Sequence, residues 1–137
     1  MTDPADPAYI AALTDLLGVL AHGSLKACLR MAADADLAPT LSVKTAMARL
    51  SSAEFRAFDE LREHMIARGI DPDTAMAPFA GPFAAYHERT RPSTWLEALV
   101  KAYIGEGIAK DFYREMAGFV DPQTRAAMEP VLDEREE

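Results

Sequence analysis

The chain has 137 residues, 50% of them hydrophobic and 26% charged, with 22 acidic against 14 basic side chains and a formal charge of -8. That length is one domain able to bury its own core, and the balance excludes collagen-like, disordered and low-complexity classes. The excess of acid excludes the Lys and Arg footprint by which phosphate backbones and anionic lipids are held, so neither DNA nor a membrane is an expected partner.

Asp6-Pro7 opens the first pattern with an N-cap followed by Pro at the first helical position, where its missing amide hydrogen costs nothing. Ile10, Leu13, Leu17, Leu20, Cys28 and Met31 then recur in steps of three and four once Ser24 is counted, which predicts a helix over about 8–35. Thr40 or Ser42 caps a second helix with the stripe Val43, Met47, Leu50, Leu61 and Met65, and Gly69 stops it. Pro72, Pro78, Gly81, Pro82 and Pro92 leave room only for short pieces, around 73–77 and 82–89, in a crossover of some twenty residues. Ser93 starts a third long helix, with the stripe Trp95, Leu99, Ala102, Ala109, Tyr113 and Met116, that ends near Gly118. Asp121-Pro122 repeats the opening motif, and a short fourth helix over 123–132 is expected to kink or end at Pro130. No segment alternates as a strand would. The expectation is an all-α four-helix bundle with a long crossover between helices two and three and a truncated last helix. It forms a single domain over 1–137, with 1–7 and 133–137 disordered.

Cys28 is the one cysteine and excludes an internal disulfide. The acidic start carries no signal-peptide pattern, and no stretch approaches about 18 apolar residues, so a cytoplasmic setting is expected. Arg56, Arg62 and Arg68 alternate with Asp59, Glu60 and Glu63 as a solvated, salt-bridged helix face, not an RNA patch.

The polar interruptions of the stripes are the informative feature. Glu54 lies in the row of Leu50 and Leu61, and Glu106 in the row of Trp95, Leu99 and Ala102, so both are expected to point inward. A buried carboxylate needs pairing, hydrogen bonds or a metal, and glutamates facing each other across a bundle are how carboxylate-bridged two-metal sites are built. Of the histidines, His64 lies about 15 Å along the helix from Glu54, His22 is off its stripe and His87 falls in the crossover. All three are read as solvent-facing or capping. Tyr113 and Trp95 are read as core, and Cys28 as a small hydrophobe near the seam.

Leu16-Leu17-Gly18-Val19-Leu20-Ala21-His22-Gly23, Ala35-Asp36-Leu37-Ala38-Pro39-Thr40-Leu41, Ala53-Glu54-Phe55, Ala75-Met76-Ala77-Pro78-Phe79 and the long run from Trp95 to Glu115 resemble, in the same order, the ferritin-like proteins grouped with tRNA 2-methylthio-N6-isopentenyladenosine hydroxylase. The likeness spans about residues 8–132. It implies a ferritin-like bundle, a non-haem diiron cofactor in active members and, by resemblance alone, tRNA as a partner. Carried over residue by residue, the pattern matches Glu54 and Glu106 as metal ligands and Glu134 as a weaker match on the last helix. Ser24 stands where the pattern has a glutamate, and Ala57 where it has the histidine of Glu-x-x-His. About two of six ligands are then secure and both histidines are missing.

Three readings follow. The first is a degenerate relative with an incomplete diiron site and no competent catalysis, acting as a binding or assembly protein. The second is a working oxygen-dependent diiron hydroxylase with Glu54 and Glu106 on iron and further ligands from Glu134, Glu137 or a partner subunit. The third is a metal-free helical interaction module. A shortened fourth helix would leave apolar seams uncovered, which points to a homodimer.

Overall fold

A computed structural model describes residues 6–132, and over that span the chain is all-helical. Helix α1 (Pro7–Asp34) leads through a 3-10 turn (Ala35–Leu37) to α2 (Leu41–Ala67). The crossover holds α3 (Pro72–Met76), a second 3-10 turn (Ala77–Phe79) and α4 (Ala80–Arg89), after which α5 (Trp95–Ala117) and α6 (Pro122–Leu132) complete the bundle.

The boundaries follow local chemistry. Asp6 accepts from the Ala8 amide with Pro7 at the first turn, and Thr40 accepts from Val43 N at 3.2 Å. Gly69, at φ 79°, takes the left-handed conformation that ends α2. The third long helix is capped by Thr94, whose hydroxyl accepts from Glu97 N at 3.2 Å. Glu97 in turn accepts from the Ser93 amide at 2.8 Å, so the two residues close the helix start between them. Pro130 does not end α6: the helix runs to Leu132 with Pro130 inside its last turn, where only one amide donor is lost. Of the ends expected to be disordered, 1–7 and 133–137, Asp6 and Pro7 are instead ordered by the helix cap they form, while 1–5 and 133–137, and with them Glu134 and Glu137, lie outside the described residues.

α1 and α2 run antiparallel along most of their lengths. The Ser51 hydroxyl donates to the Cys28 carbonyl at 2.7 Å, and the Cys28 Sγ lies 3.3 Å from the same hydroxyl, so this half-buried thiol is a packed seam residue. Leu13, Leu17, Leu20 and Ala21 of α1 meet Phe58, Leu61 and Met65 of α2, with Met76, Tyr113, Ala117 and Met128 closing the core from α3, α5 and α6. Each fully buried Leu or Met there contributes about 1.5–3 kcal/mol. α3 packs so closely on α1 that a Cβ on Gly18 would collide with the Ala75 carbonyl, so glycine is required at that crossing.

At the opposite end of the pair, Asp121 ties three helices. Tyr9 donates to its Oδ1 at 2.7 Å, Arg68 to Oδ2 at 3.1 Å, and Thr124 caps onto it through both its amide at 3.2 Å and its hydroxyl at 2.8 Å. Burial pushes the Asp121 carboxyl up, but the bonds from Tyr9 and Thr124 and the Arg68 charge outweigh it and hold the group at about 2. Arg68 therefore leaves the solvated face expected of it. His64 is likewise not solvent-facing: its Nε2 lies 2.8 Å from the Thr124 hydroxyl. Because that hydroxyl spends its proton on Asp121, His64 is the donor.

By length and composition, Pro7–Leu37 is apolar enough to cross a membrane, with a mean hydropathy of 1.4, although the residue pattern suggested no such span. In the structure 39% of that apolar window is buried. α1 is the central element, contacted by α2, α3, α4 and α5, so it is apolar on several sides instead of one stripe.

Candidate functional site

A cavity of about 630 Å³ opens between α1, α2, α4 and α5. Val19, Leu20, Met31, Met47, Leu50, Phe83, Ile108 and Phe112 make it mainly apolar, and its polar groups gather at two ends.

At the first end are the residues singled out in the sequence. Glu54 of α2, Glu106 of α5, Ser24 of α1 and Ala57 of α2 all line the cavity, so four of the five positions singled out by the sequence resemblance border one space. Burial, then the charge of Glu106, pushes the Glu54 carboxyl up to about 7, with Lys110 opposing. Glu54 is half-buried, as expected. Glu106 lines the cavity but is exposed, not buried as expected, because α5 buries few of its residues. Tyr113 completes this end. It is 7% exposed, and burial together with the Glu54 charge pushes its phenol up to about 12, so it stays protonated. The Ser24 hydroxyl is buried beside this phenol without a close hydrogen bond.

The second end was not foreseen. Arg30 and Asp34 of α1, Tyr86 and His87 of α4 and Lys101 of α5 line it. The Lys101 Nζ is shielded from water with no hydrogen-bond partner, 5.5 Å from the centre of the Tyr86 ring. Burial lowers the Lys101 ammonium, with Asp34 opposing and Arg30 and Arg91 adding to the fall. Burial, Lys101, Arg30, Lys26 and His22 drive His87 down to about 4, so its imidazole is neutral. Neither His87 nor His22 is solvent-facing. The His22 ring is buried and stacked on Phe83 at 5.0 Å, and burial first, then Lys26, lowers its pKa. Both buried Nδ1 atoms are unpartnered. The signal in the sequence was the cation row Lys26, Arg30 and Lys101 beside His87, dispersed over three helices.

A two-iron centre takes about four carboxylates and two imidazoles. Ala57 supplies no donor atom, Ser24 only a neutral hydroxyl, and His87 stands in the cationic end. Among the described residues no three His, Cys, Asp or Glu side chains form a group able to hold a metal ion. The described residues therefore do not fit the diiron group.

Residues 7–137 match the family described as "Ferritin-like domain, actinomycetes". The chain belongs to this family. A comparison with curated proteins finds no match. The ferritin-like assignment agrees with the all-helical fold.

Proposed function

We propose that this ferritin-like chain is a relative of the tRNA-hydroxylase type in which the diiron site is incomplete and catalysis is lost, so that the bundle interior acts as a binding or assembly surface. One observation carries this reading. The positions that the tRNA-hydroxylase resemblance gives to iron ligands hold Ser24 and Ala57, which supply no charged donor, and leave Glu54 and Glu106 as the acids lining that end of the cavity. A carboxylic acid beside a carboxylate is the usual state of such a pair without a cation between them. The alternative, an oxygen-dependent diiron hydroxylase of a modified tRNA nucleoside, is favoured by the same juxtaposition of Glu54 and Glu106. It needs further ligands from Glu134, Glu137 or a partner subunit. Anaerobic addition of ferrous iron followed by oxygen separates the two. The proposed reading expects no oxo-bridged absorption band and no iron-dependent oxygen uptake, and a stoichiometric band would establish the hydroxylase.

A specific observation also supports an assembly role. α5 buries only Ala98, Tyr113 and Ala117, while Leu96, Val100, Tyr103, Ile104 and Ile108 are exposed. A row of large apolar side chains exposed along one helix is a surface that a partner covers. The occupant we assign is a second copy, since an uncharged row on an otherwise strongly acidic chain is a face that two copies can bring together without charge repulsion. The single thiol Cys28 fits a cytoplasmic setting.

A further inference from the structure

The cationic end of the cavity has no role in the reading above, and its features point to a ligand. It joins an apolar channel to two buried polar atoms that the protein leaves unsatisfied, the Lys101 Nζ donor and the His87 Nδ1, which donates or accepts according to tautomer. Leaving such groups unpaired costs free energy, which a bound acceptor recovers. Arg30 and Lys101 line this end against the single acid Asp34, and Lys26 and Arg91 add to the positive field, so the end favours an anion. Beyond it, Met31, Met47, Leu50 and Phe83 continue as an apolar wall toward Glu54. The cavity, at about 630 Å³, falls in the range of about 300–1,000 Å³ that holds small organic ligands.

We propose that the cavity binds a single-chain carboxylate amphiphile, a fatty-acid-like molecule whose head group lies between Arg30 and Lys101 and whose chain runs along the apolar wall between α1, α2 and α5. The inference rests on the binding-protein reading and names its ligand class. Lys101 is the principal contact, since its ammonium is already shielded from water and positioned over the Tyr86 ring. A charged hydrogen bond formed there is stronger than one at an open surface. The neutral His87 imidazole offers a second donor or acceptor without adding charge.

The test is calorimetric titration of the whole chain with dodecanoate below its micelle concentration, beside dodecanol and dodecyltrimethylammonium. Saturable binding of dodecanoate near one per chain is expected, with both comparison compounds weaker by about tenfold or more. Lys101→Met and Arg30→Gln should each weaken dodecanoate by about tenfold without changing dodecanol, and Lys101→Arg should restore most of the loss. Circular-dichroism melts show whether each variant is folded, and Lys101→Arg carries the comparison if Lys101→Met is not. Absence of dodecanoate binding to the wild-type chain, equal binding of dodecanol, or indifference to both Lys101→Met and Arg30→Gln would overturn the proposal. Iron content measured on the same samples keeps the two claims apart. An iron-free chain that ignores dodecanoate refutes the ligand alone, whereas an iron-loaded chain refutes the reading beneath it.

Discussion

Glu54 on α2 and Glu106 on α5 line one cavity, where burial first, and then the charge of Glu106, lifts the Glu54 carboxyl from near 4.5 to about 7. An acid whose folded pKa is raised holds its proton more tightly folded than unfolded. Stability is then undiminished below the ordinary carboxyl value and falls as pH rises from about 4.5 through about 7. Glu54→Gln removes that cost. The variant should exceed the wild type by on the order of 2 kcal/mol at about pH 8, allowing for the open side of the cavity, and by nothing at about pH 4. Urea melts at both pH values check this, and an equal gain at both would mean that charge is not what is being relieved.

Asp121 behaves in the opposite sense. Its folded carboxyl is depressed to about 2, so its contribution is complete above the unfolded value near 3.8 and is lost as pH falls toward 2. Asp121→Asn keeps the shape but not the charge and should cost about 1–2 kcal/mol near neutral pH. Asp121→Ala, which strands Tyr9, Arg68 and Thr124, should cost about 2–4 kcal/mol. Thermal melts across the acid range check the pair. With Glu54 acting on the alkaline side, maximum stability is expected between about pH 4 and 5.

Two glycines should respond with opposite signs. Gly18→Ala drives a methyl group into the Ala75 carbonyl, backbone against backbone, and should cost about 2–3 kcal/mol as α3 is pushed off α1. Gly107→Ala meets nothing within 4 Å and lies inside α5, so it should stabilise by about 0.5–1 kcal/mol. Denaturation midpoints of both variants suffice for the comparison.

Self-association should depend on α5. Ile104, 54% exposed, lies mid-row between Val100 and Ile108. Light scattering should find a dimer for the wild type and a monomer for Ile104→Lys, with unchanged helical content. A wild-type monomer at high concentration would remove the second copy as the occupant of that face.

Much of the architecture was legible in the residues. The caps at Asp6 and Thr40, the stop at Gly69 and the punctuation between Pro72 and Pro92 carry local chemistry that tertiary packing did not override. The buried side of α5 was not legible. Leu99, expected in the core, is 46% exposed while Ala98 is buried, because a helix with apolar residues all round offers no single stripe to read. The histidines were missed for a related reason. α1 is packed on several sides, so a residue off the main stripe, such as His22, still meets a neighbour in Phe83. The Glu54 and Glu106 juxtaposition was legible from their rows. The cationic end was not, since Arg30, His87 and Lys101 converge only once the crossover folds back over α1.

The most direct test of the central claim is a carbon-13 NMR titration of the Glu54 side-chain carboxyl, recorded with and without excess ferrous iron under anaerobic conditions. A midpoint near pH 7 that iron does not move is the result predicted for a proton-holding acid without a metal beside it. A midpoint in the ordinary glutamate range, or a carboxyl signal broadened or shifted by stoichiometric iron, would contradict it.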